Sequence, residues 1–220
     1  MNNIKHIIFD FDGTLADTWP VMYQVISGVF QRYDGRQVLI EDMYALAGPT
    51  ELQIIEQHLN NREQVEAAIT EYVAEYEQRH DELVERNTEI ADLLVSLRQS
   101  GIGIAMFTGK SRRTLDISLD KLGWEVSFDK IVTGDDVEKR KPSAEGIHLI
   151  LNELGWAKEE TIFVGDSNDD MLAGQEAGIR TFAAQWMAVV QDKDYRVLPE
   201  RIFNEVEAFK QFVLEQVEKV

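Results

Sequence analysis

Four short stretches of this 220-residue sequence carry side chains suited to one kind of chemistry. Asp10 and Asp12 stand two residues apart beside Gly13. Thr108-Gly109-Lys110 and Lys141-Pro142 follow, then Gly165-Asp166-Ser167-Asn168-Asp169-Asp170. Two carboxylates, a hydroxyl, a lysine and an acidic cluster together meet the needs of metal-assisted phosphoryl transfer. That reaction calls for hard oxygen ligands for magnesium, a nucleophile, an acid–base group and cationic support for the phosphate. Asp10, Asp12 and Asp166 could not all ionise at close range without a cation, so such a cluster predicts a metal. Taken singly, each stretch has a plainer reading. Carboxylates in a Gly-containing loop are common turn residues, Thr108 or Ser111 is a ready helix N-cap, and residues 166–170 favour the start of a helix through its dipole. Their order and placement decide the matter.

That placement follows from the elements around them. Ile4 to Phe9 reads as a buried strand ending at Asp10. Further strands are expected at 102–107, 130–133, 161–164 and 180–184. Helices are expected at about 88–99, 111–122, 143–154 and 169–177, with a last one over roughly 199–218. Glycines punctuate most of the helix ends, as C-caps do. Such alternation predicts an α/β fold, a Rossmann-like parallel sheet with helices on both faces. Residues 16–83 break the alternation and read as all-helical. Val21, Val25, Val29 and Phe30 fit one apolar helix face; Val65, Ala68, Ile69, Tyr72, Val73 and Tyr76 fit another. Pro49 is placed to open a helix there. The expected organisation is a core domain of residues 1–15 and 84–220 with an inserted helical cap of residues 16–83. In an open parallel sheet, ligands gather at the carboxyl ends of strands. Asp10, Thr108 and Asp166 each follow a predicted strand, and Lys141 follows one after a short loop.

Composition narrows the partners. There are 22 Lys+Arg against 40 Asp+Glu, a formal net charge of -18. Such a surface repels nucleic acid and anionic lipid, so neither is expected. An anionic substrate must then be held by local positive charge and a metal. The absence of cysteine removes disulfides, zinc–thiolate sites and a cysteine nucleophile. The N-terminal apolar run is too short and too soon charged for a signal peptide, and no run approaches a membrane span. The expectation is a cytoplasmic protein, monomeric by default.

Asp10-Phe11-Asp12-Gly13-Thr14, Thr108, Lys141 and Gly165-Asp166-Ser167-Asn168-Asp169-Asp170 resemble the four ordered motifs of the haloacid dehalogenase-like hydrolase superfamily. The helical insertion, Gly13 to Thr18 and Ala47-Gly48-Pro49 are similar to the phosphoglycolate phosphatase and β-phosphoglucomutase branch. The resemblance implies that Asp10 is the nucleophile, forming an aspartyl phosphate. It implies that Asp12 protonates the leaving oxygen and later deprotonates water. Mg²⁺ would be held by Asp10, Asp166 and the Asp12 backbone carbonyl, with Asp170 supporting and Asp169 a weaker candidate. Thr108 and the following amides, Gly109 especially, would bind the phosphate, with Thr14 placed among the substrate-binding groups and Lys110 either there or simply exposed at a helix start. Lys141 would pair with Asp10 and the phosphate. Asp12 separates phosphoryl transfer from dehalogenation, whose enzymes lack this second aspartate.

The sequence departs from the pattern where Ser143-Ala144 replaces a second proline, and Lys139-Arg140 precedes Lys141. That basic run reads as mostly solvated surface able to attract an anion. Gly48 to Thr50 lies where related caps reach the site. Trp19 is either a contact at the cap–core boundary or packing for the first cap helix, and His6, His58, His80 and His148 join no constellation. The expected activity is Mg²⁺-dependent hydrolysis of a small-molecule phosphate ester, of the phosphoglycolate phosphatase type. Pyrophosphate hydrolysis, a β-phosphoglucomutase-like phosphomutase and a non-enzymatic binding protein are the alternatives.

Overall fold

The structure, a computed structural model, describes residues 4–39 and 49–217. Among the described residues strand β1 (His6–Phe9) is followed by helices α1 (Trp19–Asp34), α2 (Glu51–His58) and α3 (Val65–Leu83). The chain then alternates through α4 (Thr88–Gln99), β2 (Gly103–Phe107), α5 (Arg112–Leu122), β3 (Lys130–Val132), α6 (Glu145–Leu154), β4 (Thr161–Gly165), α7 (Asn168–Ala177) and β5 (Arg180–Ala184). It finishes with β6 (Arg201–Phe203) and α8 (Val206–Val217). Ala47 and Gly48 lie outside the described residues. Among the described residues no helix is long and apolar enough to cross a membrane.

The six strands form one parallel sheet in the order β3-β2-β1-β4-β5-β6. The period-two pleat sends alternate residues of each strand to opposite faces. Ile7 and Phe9 of β1 join Ile104, Met106, Ile162 and Val164 against α4 and α8. Ile8 joins Ala105, Phe107 and Phe163 against α6 and α7. Both faces are therefore covered, which is why the central strands are apolar at successive positions. The expected α/β architecture is the observed one. β1 lies between β2 and β4, where the connections turn from one side of the sheet to the other. Such a switch point opens a crevice at the strand ends.

Local capping explains the helix bounds. Asn87, Ser111 and Ser167 accept backbone N–H bonds at the starts of α4, α5 and α7. Two expectations are corrected. Pro49 does not open a helix: Thr50 is the N-cap of α2, in a reciprocal capping box with Gln53. The expected last helix over 199–218 instead contains a strand, β6, paired to β5, and α8 starts only at Val206. Phe203 is buried beside Phe182, Phe209 and Phe212. Three residues are too few to display a period, and β6 exists through its neighbour strand rather than through its own pattern.

In the helical segment, α1 packs on α3, and α3 packs on α5. Tyr76 Oη lies 2.8 Å from Ser118 Oγ, and His80 Nε2 lies 3.1 Å from the same hydroxyl. Buried Glu51, the first residue of α2, takes hydrogen bonds from Ser111 N (3.2 Å), Ser111 Oγ (2.8 Å) and Thr114 Oγ1. An acidic side chain from the helical segment thus caps a helix of the sheet layer. His6 stacks on Trp156 at 4.4 Å between ring centroids.

Candidate active site

The four motif stretches meet at the carboxyl edge of the sheet, around the switch point. The Asp10 amide extends the β1–β4 ladder by donating to Val164 O (2.8 Å), which holds this aspartate at the strand end. The chain then turns tightly: Thr14, Leu15 and Ala16 all donate to Phe11 O. Gly13 takes φ +81 there, and a Cβ on it would run into the Asp166 carboxylate. This position therefore needs glycine both for its backbone angle and for the close approach of Asp166.

Asp10, Asp166 and Asp170 are all buried, and each offers a carboxylate oxygen within 4.8 Å of the others. Lys141 Nζ sits 2.7 Å from Asp10 Oδ1 and 2.7 Å from Asp170 Oδ1. The rings of Phe107 and Phe163 flank the ammonium. Three buried carboxylates thus face one ammonium. Burial pushes the Asp10 carboxyl up to about 7 against the pull of Lys141, and Asp170 and Asp12 add to the rise. Burial likewise pushes Asp166 well above the carboxylate range, helped by the charges of Asp10 and Asp170. Burial alone would lower the Lys141 pKa, yet the two aspartates beside it hold it raised.

Asp10 Oδ1 is buried and, beyond this ion pair, lacks a properly aligned hydrogen bond. Under-satisfied hard oxygens with an excess of negative charge fit a divalent cation of the magnesium type. Asp166 is braced for such a role from behind. Its Oδ2 accepts from Gln191 N (2.6 Å) and its Oδ1 from Thr14 Oγ1 (3.4 Å). Asp170 serves two neighbours. Its Oδ2 accepts from Ser167 N (3.0 Å) and Oγ (2.6 Å) in the capping box of α7, while Oδ1 meets Lys141.

Asp12 stands apart from this cluster. Its Oδ1 lies 3.0 Å from Lys110 Nζ and accepts from Thr18 Oγ1. Lys110 is fully buried, over the Tyr76 ring and 3.2 Å from Met22 Sδ. Its ammonium is thus committed to Asp12, whose charge keeps the Lys110 pKa raised despite burial. Thr14, expected among the substrate-binding groups, is wholly buried behind the site on Asp166. At the start of α5 the amides of Lys110, Ser111 and Arg112 donate to Thr108 Oγ1, Glu51 and Asp135. Among the described residues no protein acceptor takes Gly109 N, which leaves it open to an anion.

These groups border a cavity of about 120 Å³. The sheet edge supplies Asp10, Asp12, Thr108, Gly109, Lys110 and Lys141, and the helical segment supplies Trp19, Met22, Glu51 and Ile54. Asp169 also reaches it. Sequence reasoning gave Thr18 no role in the site and passed over Glu51 and Gln191. The signal for Gln191 was available, because the loop after β5 leaves the same sheet edge. Trp186 of that loop donates to Thr14 O (2.7 Å), and Asn168 holds the loop through Asp192, Asp194 and Arg196.

Comparison with known proteins agrees with this arrangement. The sequence model of the family described as haloacid dehalogenase-like hydrolase matches residues 7–184. A protein named pyrophosphatase PpaX from Bacillus mycoides is 33% identical over 183 residues, covering 83% of this chain and 84% of its own. Its namesake from Halalkalibacterium halodurans is 32% identical over 192 residues, covering 87% of both chains. Among solved structures, CbbY from Rhodobacter sphaeroides in complex with phosphate superposes with a TM-score of 0.76 at 21% identity, over 92% of this chain and 95% of that one. A Haemophilus somnus protein described as a predicted phosphoglycolate phosphatase gives 0.79 at 18% identity, over 96% and 99%. These two likenesses concern the fold. With its sequence matched from β1 through β5 and its relatives alike over most of both chains, this chain belongs to the haloacid dehalogenase-like hydrolase family.

Proposed function

We propose that this protein is a Mg²⁺-dependent phosphatase acting on a small phosphorylated molecule through an aspartyl phosphate on Asp10. The observation that carries the reading is the pairing of Asp10 with Lys141 at 2.7 Å inside a buried acidic cluster, with Asp12 held separately on Lys110. The two carboxylates are thereby given different surroundings, as a nucleophile and an acid–base group require. Residues 1–15 and 84–220 serve as the catalytic core, and residues 16–83 as a cap over the cavity.

In the first step an Asp10 oxygen forms a bond to phosphorus while the bond to the leaving oxygen breaks, and that oxygen takes a proton from Asp12. In the second step Asp12 takes a proton from water, the water oxygen bonds to phosphorus, and the Asp10–phosphorus link breaks to release orthophosphate. Thr108 and the Gly109 amide hold phosphate oxygens. Lys141 screens the repulsion between Asp10 and the incoming anion and steadies the charge of the transition state. Asp10, Asp166 and the Asp12 carbonyl, with Asp170 supporting, would hold Mg²⁺. Bound there, it would supply Lewis-acid neutralisation of the phosphate. The cap keeps bulk water from the intermediate.

A phosphoric anhydride as substrate is the second reading, favoured by relatives that carry the name pyrophosphatase. The test is phosphate release with and without Mg²⁺ across phosphoglycolate, pyrophosphate, sugar phosphates and nucleotides, run with Asp10→Asn alongside. Release by the wild type alone is expected. Equal activity in both proteins, or none in either on every compound, would sink the proposal. Interconversion of hexose phosphates without phosphate release would replace it with the phosphomutase.

A further inference from the structure

We propose that Arg140 binds a second anionic group on the substrate, so that this enzyme selects small molecules bearing a carboxylate or phosphoryl group close to the transferred phosphate. This inference rests on the phosphatase reading and narrows its substrate class. Three cationic side chains border the cavity: Lys110, Arg140 and Lys141. Two are committed, Lys110 to Asp12 and Lys141 to Asp10 and Asp170. Arg140 differs. Among the described residues no carboxylate forms an ion pair with it, and its one side-chain hydrogen bond runs from Nε to Gly134 O at 3.1 Å.

That single bond matters for aim. Gly134 N donates to Lys110 O (3.0 Å), and a Cβ at Gly134 would fall against Gly109 O and the Thr50 side chain. Arg140 is thus anchored on backbone that packs against the carbonyl side of Gly109, next to the phosphate-binding turn, while its two terminal nitrogens keep their donors. A guanidinium fork of this kind matches a carboxylate or phosphoryl group bidentately. A chain with a net charge of -18 gives no general attraction to anions, so an uncommitted cation at the cavity has a local purpose. The cavity, about 120 Å³, lies well below the roughly 300–1,000 Å³ usual for drug-sized ligands. A space of this size beside the phosphate-binding groups suits a second anion within a few bonds of the phosphorus. Pyrophosphate and phosphoglycolate both satisfy this; a sugar phosphate with a neutral tail does not.

The experiment compares wild type, Arg140→Gln and Arg140→Lys in the presence of Mg²⁺. Steady-state kinetics use pyrophosphate, phosphoglycolate and ethyl phosphate, the last matching phosphoglycolate without its carboxylate. Calorimetry measures binding of phosphonoacetate and of methylphosphonate to the same proteins. Losing charge-assisted bonds to a second anion corresponds to about a 10- to 100-fold fall in kcat/KM, chiefly through KM. Arg140→Gln is expected to show that fall on phosphoglycolate, pyrophosphate or both, and which one identifies the second group. Ethyl phosphate turnover should change by less than about threefold, and Arg140→Lys should recover part of the loss. Phosphonoacetate binding should weaken about 10-fold or more while methylphosphonate binding holds. The inference is overturned if Arg140→Gln lowers all three substrates alike, or none. It is equally overturned if phosphonoacetate binds the Gln variant as it binds wild type. A wild type inert on all three substrates that still loses phosphonoacetate selectively in Arg140→Gln would remove the phosphatase reading and leave the anion site standing.

Discussion

Replacing Lys141 by methionine isolates the charge balance of the acidic cluster. The Lys141 side chain is only 9% exposed and passes the rings of Phe107 and Phe163, so a methionine keeps most of the packing and removes the ammonium. Two contacts of 2.7 Å, to Asp10 and Asp170, are lost together. Removing one partner of a buried ion pair costs about 3–5 kcal/mol, because the remaining charge is left uncompensated. With a urea m-value near the upper end of about 1–3 kcal/mol/M, that loss lowers the metal-free unfolding midpoint by about 1–2 M. Added Mg²⁺ should return part of the difference, since a cation binding the native cluster stabilises it by mass action. Activity should fall about 10²- to 10³-fold or more, the usual effect of removing a charge-stabilising donor. The assay is urea unfolding followed by tryptophan fluorescence, with EDTA and with Mg²⁺, beside phosphate release. A metal-free midpoint equal to wild type would refute the view that Lys141 balances these carboxylates. Activity within tenfold of wild type would refute its part in the chemistry.

Further outcomes follow from the same geometry. Asp10→Asn, inactive as described above, should melt higher than wild type in EDTA. The amide removes a buried carboxylate whose pKa stands near 7, and a lower melting temperature would contradict that account. Gly13→Ala places a Cβ at φ +81 against Asp166, so a loss of at least about 1–2 kcal/mol is expected, with a weaker Mg²⁺ dependence of activity. Thermal melts and a Mg²⁺ titration check it. His80 is pushed down to about 4 by burial, with the Lys110 charge next in effect. The native protein therefore holds it neutral while the unfolded chain takes up a proton below about pH 6.5. Its stabilising contribution is full above pH 6.5 and is lost as the pH falls towards 4, amounting to about 1–2 kcal/mol after solvent screening. His80→Gln should flatten the acid limb of stability against pH, and an unchanged slope would refute the assignment.

The order of elements was legible in the sequence because it rests on local signals. Apolar runs of four to six residues read as buried strands, glycines mark most of the helix ends, and the strand-end rule collects Asp10, Thr108, Lys141 and Asp166 on one edge. The structure brings those residues together there. β6 was not legible, since its pairing energy comes from β5 and the burial of Phe203 from residues on α8 and β5.

Partner choice was not legible either. Lys110 turns to Asp12, 98 residues away. Glu51 caps a helix 60 residues on, and Asp170 divides its two oxygens between its own helix start and Lys141. Arg140 reads in the sequence as mostly solvated surface able to attract an anion, and only the tertiary structure set it at the cavity with its charge uncommitted. The sequence by itself determined which chemical groups reach the carboxyl edge, because strand ends are local and the sheet's connectivity is constrained. Which group each charge faces was decided by tertiary packing. Buried charges must find partners wherever the chain brings them within reach, and that distance is not written in sequence separation.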